Sequence, residues 1–115
     1  MEPKGKSEII NFLKSNKDLI HSYGVKKMGL FGSFVRNTQN EKSDIDLLVE
    51  FDSTKLNYNN YINLTFFLED NLNRKIDLVT FDGLSPYIGP NILKEVEYVS
   101  LNPQPASNSL PDISA

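Results

Sequence analysis

The segment DIDLLVEF at residues 44–51 constrains the fold more than any other stretch. Its period of two sets Ile45, Leu47, Val49 and Phe51 on one side of an extended chain and Asp44, Asp46, Leu48 and Glu50 on the other, which predicts a strand. Aspartate is disfavoured in strands, yet two open this one on a single face. Residues two apart in a strand sit about 6.5 Å from each other, so both carboxylates can converge on metal ions roughly 3.5 to 4 Å apart. An Asp-x-Asp pair by itself arises readily by chance. Its place at the head of an apolar strand is what calls for a function.

Upstream, VKKMGLFG predicts a strand over residues 25–31 that enters a tight turn at Gly32. Ser33 is placed to N-cap a short helix in SFVRN, and a polar loop, TQNEKS, leads back to the aspartates. A glycine at such a strand-to-helix turn lets backbone approach a phosphate, with unpaired N–H groups and the Ser33 hydroxyl as donors. Arg36, one turn further on, has two readings: a phosphate contact, or an ion pair with a strand carboxylate that holds the turn.

The remaining elements surround this core. Ile9, Phe12, Leu13 and Ile20 recur at helical spacing between Ser7 and Gly24, predicting one N-terminal helix. A second helix is expected over about 57–71, then a β-rich run KIDLVTF, a helix over 86–94 with Pro90 at a first turn or kink, and a closing strand in EVEYVS. Asp77 lies inside the apolar KIDLVTF. If its strand lies beside the DIDLLVEF strand, its carboxylate joins the same cluster. The order predicts an α+β, or layered α/β, fold: helices over a small sheet. Residues 1–100 form the domain, and 101–115, with three of the six prolines, form a tail.

Composition narrows the chemistry. There is no cysteine and one histidine, so disulfides and thiolate chemistry are excluded and a protein metal site must use oxygen ligands, which suit magnesium. That histidine, His21, falls at the end of the first helix and reads as structural. A net charge of −3 gives no footprint for direct nucleic-acid binding. No apolar run approaches membrane-spanning length and the first residues lack a signal-peptide core, so a cytoplasmic location is expected.

Together, GLFGSFVRN and SDIDLLVEF resemble the signature of the DNA polymerase beta-like nucleotidyltransferase superfamily: Gly-Ser, a spacer, then Asp-x-Asp on the next strand. Among its families the chain is similar to the minimal nucleotidyltransferases that pair with HEPN-domain partners in toxin-antitoxin modules. The resemblance covers residues 25–99 and implies a small mixed sheet flanked by helices. It implies that Gly32 and Ser33 hold the phosphates of ATP, that Asp44 and Asp46 bind two magnesium ions, and that Asp77 is the third carboxylate, helping to bind metal and activate the acceptor. Asn37 departs from the family, where a glycine commonly follows the arginine; asparagine tolerates the left-handed backbone such a position needs.

The activity so implied is adenylyl transfer from ATP to a tyrosine hydroxyl of a HEPN-domain toxin, in a hetero-oligomer with that toxin, the chain acting as antitoxin. Two alternatives stand beside it. One is an antitoxin that masks its partner without catalysis; the other is transfer to a small molecule of aminoglycoside type.

Overall fold

The computed structural model describes residues 3–52, 54 and 57–101. Four strands, β1 (Val25–Phe31), β2 (Ile45–Phe51), β3 (Ile76–Thr80) and β4 (Glu97–Val99), form one sheet in the order β3-β2-β1-β4. The helices are α1 (Lys6–Ser15), α2 (Lys17–Ser22), α3 (Ser33–Arg36), α4 (Tyr58–Leu72) and α5 (Gly89–Glu95). β1 pairs antiparallel with β2 and β4, whereas β2 and β3 are parallel. A parallel pair cannot be joined by a tight turn, and α4 makes the crossover. The fold is the mixed sheet with flanking helices that the sequence predicts.

The two faces of the sheet are covered unequally. Ile45, Leu47, Val49 and Phe51 of β2 join Met28, Leu30 and Leu78 in the main core, packed against Ile9 and Leu13 of α1, Ile20 of α2, and Leu64, Leu68 and Leu72 of α4. Phe12 stacks on Phe67 with ring centroids 5.8 Å apart, tying α1 to α4. The opposite face carries a smaller cluster, in which Phe31, Leu48 and Ile92 are ringed by Val79, Phe81, Leu84 and Val96. Gly29 lets α5's end close over β1: a Cβ there would stand 2.5 Å from Val96 Cγ2. Asp46 lies two residues from Leu48, and Asp77 two from Val79, so both project from this less covered face.

Three details depart from the sequence reading. The single N-terminal helix is two, because Asn16 leaves helical geometry (φ −113°, ψ 21°) and its side-chain Nδ2 donates to Phe12 O at 2.8 Å. An asparagine side chain that competes for helix carbonyls in this way favours a break. A 3₁₀ turn at Phe81–Gly83, where Gly83 N donates to Thr80 Oγ1, intervenes after β3, and α5 starts at Gly89 with Pro90 in its first turn. Leu101, the first residue assigned to the tail, is buried in the main core, and the His21 ring contacts the carbonyls of Val25 and Leu101. The rest of the predicted tail lies outside the described residues.

Candidate active site

β1 is followed by Gly32, whose φ of 80° and ψ of −153° are open essentially only to glycine. Its carbonyl accepts from Val35 N and Arg36 N, both at 3.1 Å, so Gly32 caps α3 and Ser33 is the first helical residue. The N-cap position predicted for Ser33 is therefore held by Gly32, which has no side chain to cap with. Asn37 ends α3 in the left-handed region (φ 60°, ψ 37°), the conformation its side chain tolerates.

Register brings the turn onto the acidic strand. Phe31 is paired with Asp46, and a Cβ on Gly32 would lie 2.0 Å from Asp46 Oδ2. The Asp46 carboxylate thus packs directly on the bare face of the glycine. On the other side of β2, Ile45 N donates to Lys75 O at 3.0 Å and Asp46 stands in register with Asp77. Asp44 immediately precedes β2 and is half-buried, as is Asp46, while Asp77 is exposed. The Gly-Ser turn, Asp44, Asp46 and Asp77 consequently share one region, which sequence order alone left conditional on the placing of β3.

The electrostatics record the crowding. The carboxyl of Asp46 is raised from 3.8 to about 6, first by burial, then by the charges of Asp77 and Asp44; Arg36 opposes the rise and Glu95 adds to it. Tyr61, whose hydroxyl donates to Leu78 O at 2.6 Å, is raised by burial and then by Asp77. Among the described residues no three acidic or histidine side chains are arranged to hold a metal ion by themselves. An all-oxygen group of mutually repelling carboxylates nevertheless suits magnesium, which commonly takes one or two protein carboxylates and completes its shell with water and substrate phosphates. A divalent cation would remove the repulsion that disfavours Asp46 ionisation.

Two contributors carry no local signal in the sequence. Arg74, just before β3, donates from Nη1 to the carbonyls of Asn40, Glu41 and Ser43 at 3.1, 3.2 and 2.8 Å, and its guanidinium lies 5.2 Å from the Phe34 ring centre. It staples the loop that delivers Asp44. Glu95, the last residue of α5, accepts from Gly32 N at 2.7 Å and from Arg36 Nη1 at 2.8 and 3.0 Å. Arg36 therefore holds the turn through an ion pair, but its partner comes from α5 and not from a strand.

The chain matches the family model described as "Nucleotidyltransferase domain" over residues 6–99. It is 38% identical over 93 residues to the protein adenylyltransferase MntA of Thermococcus cleftensis, covering 80% of this chain and 93% of that one. A solved structure provisionally described as a minimal nucleotidyltransferase superposes with a TM-score of 0.62 at 28% identity, covering 76% of this chain and 93% of the other. The fold is also that of a chain in the complex of tri-AMPylated Shewanella oneidensis HEPN toxin with MNT antitoxin (TM-score 0.50, 21% identity, 73% of this chain and 68% of that one). With the glycine turn set directly against its paired aspartates, the chain belongs to the nucleotidyltransferase domain family, as one of its minimal members.

Proposed function

We propose that this chain transfers AMP from ATP to a tyrosine hydroxyl of a HEPN-domain toxin, silencing it as the antitoxin of the pair. The observation that carries this reading is the contact of Gly32 with Asp46, in register with Asp77, which sets the glycine turn beside a carboxylate pair. Support for a protein acceptor comes from the name of the Thermococcus relative, a protein adenylyltransferase, and support for the kind of partner from the AMPylated HEPN toxin found with a protein of the same fold.

In this reading the triphosphate lies along the turn, where the backbone N–H of Gly32 and the Ser33 hydroxyl donate to phosphate oxygens. Asp44, Asp46 and Asp77 would hold magnesium, which when bound neutralises phosphate charge at the reacting and departing oxygens. The acceptor hydroxyl oxygen attacks the α-phosphorus in line, the bond to the β-phosphate bridging oxygen breaks, and pyrophosphate leaves with that electron pair. Asp77, exposed at the edge strand β3, accepts the hydroxyl proton. The exposure of Asp77 on an edge strand suits an acceptor delivered by another protein.

The proposed site of action is the cytoplasm; no described helix is long and apolar enough to cross a membrane. The test is incubation with ATP, magnesium and a HEPN-domain protein encoded beside this chain, followed by intact mass measurement. Addition of AMP (or several) to the partner is expected; unmodified protein throughout would remove the proposal. Retained antitoxin activity in the double variant Asp44→Asn, Asp46→Asn would instead identify an antitoxin that works by masking.

A further inference from the structure

The donors that the reaction requires for phosphate are already engaged by the chain itself. Gly32 N donates to Glu95 Oε2 at 2.7 Å, and Arg36 Nη1 bonds both oxygens of the same carboxylate. A carboxylate is the closest side-chain equivalent of a phosphate edge, with one negative charge and two acceptor oxygens in a plane. Glu95 is thus seated where a phosphate oxygen would be held.

Its surroundings make a purely structural ion pair an incomplete account. An arginine that only needed a partner could take one away from the acidic cluster. Glu95 instead places another negative charge on Gly32, the residue against which the Asp46 carboxylate packs. The ion pair is also accessible: the Arg36 side chain is 55% exposed and that of Glu95 24%, so a solvated anion can compete for it. Finally, Glu95 ends α5 and Val96 follows in an extended conformation, so the carboxylate sits at an element boundary, where side-chain exchange does not require repacking of Ile92.

We infer that Glu95 is a positioning residue that occupies the Gly32 amide and Arg36 as an internal stand-in for phosphate, and that nucleotide binds by displacing it. Once displaced, the Gly32 N–H and the Arg36 guanidinium both turn from the carboxylate to phosphate oxygens. The exchange keeps the Gly32 turn formed before substrate arrives and sets a threshold that weak anions do not cross. This inference rests on the nucleotidyltransferase reading of the site.

The experiment is calorimetric titration of the full-length chain with a non-hydrolysable ATP analogue and magnesium, and separately with inorganic triphosphate, for wild type and Glu95→Gln. Replacing a charged acceptor by a neutral one of the same shape weakens the competing contact, and affinity for both probes is expected to rise roughly 3- to 10-fold in E95Q. With the HEPN partner present, KM for ATP should fall by a similar factor while kcat does not rise. A role limited to supporting the turn would leave affinity unchanged or lower it, which would overturn the inference while leaving the activity in place. Absence of binding in both proteins would overturn the inference together with the reading beneath it. Should E95Q fold poorly, the wild-type protein still decides: the Gly32 amide resonance in an NMR spectrum must move on adding nucleotide and magnesium, and a Gly32–Glu95 bond that persists in a nucleotide-bound structure excludes displacement.

Discussion

Gly32 and Asp46 are in direct contact: the space a Cβ on Gly32 would take is filled by Asp46 Oδ2, 2.0 Å away. The turn and the acidic strand are therefore one unit. A change at either residue is felt by the other.

Gly32→Ala combines that clash with a positive φ, and either alone strains an L-residue. The variant should lose about 2 kcal/mol or more of stability and most of its nucleotide affinity. Urea denaturation and calorimetric titration measure the two effects; a stable variant with unaltered affinity would contradict the contact.

Asp46→Asn and Asp77→Asn should each reduce AMP transfer about 100-fold or more, with the fold intact by circular dichroism. Asn keeps the shape and removes the charge that binds the cation or takes the proton. Rates near wild type in either variant would remove that residue from the reacting group.

The stability of the protein without divalent cation should depend on pH in the unusual direction for an aspartate. Asp46 has its folded pKa raised from 3.8 to about 6, so between these values the folded state binds more protons than the unfolded chain. Stability from this group is present in full below about pH 4 and is lost as pH rises through about 6. Allowing for solvent screening, the change is about 1 to 2 kcal/mol, and Asp46→Asn should abolish it. Magnesium should flatten the same profile by favouring the carboxylate. Urea midpoints across pH 4 to 8, with and without the cation, would expose an effect of the wrong sign.

Arg74→Ala removes three bonds to loop carbonyls at Asn40, Glu41 and Ser43. Loss of about 1 to 2 kcal/mol and faster proteolysis within residues 40–43 are expected. AMP transfer should fall with it, because Asp44 is the next residue along. Cleavage kinetics identical to wild type would show that the loop is held by other means.

Much of this site can be read along the chain because its parts are local. The alternation of DIDLLVEF follows from a strand with a core on one side, and Ile45, Leu47, Val49 and Phe51 all reach that core. Gly32 is betrayed by a strand-like run that stops at glycine. Glu95 and Arg74 could not be found that way: their partners lie 63 and 31 residues away, and nothing in the spacing of an isolated Glu or Arg marks a tertiary bond. The break at Asn16 was equally hidden, since the apolar spacing of Ile9, Leu13 and Ile20 continues across it and only the asparagine side chain's own bond reveals the stop.

The parallel pairing of β2 with β3 also has a consequence for synthesis on the ribosome. β1 and β2 adjoin in both sequence and sheet, so the emerging chain can set Gly32 against Asp46 early. Asp77 joins them only after α4 has emerged and packed across the sheet. A nascent chain that stops at residue 52 carries the turn and two carboxylates but lacks the third, so the three carboxylates come together only when the crossover is complete.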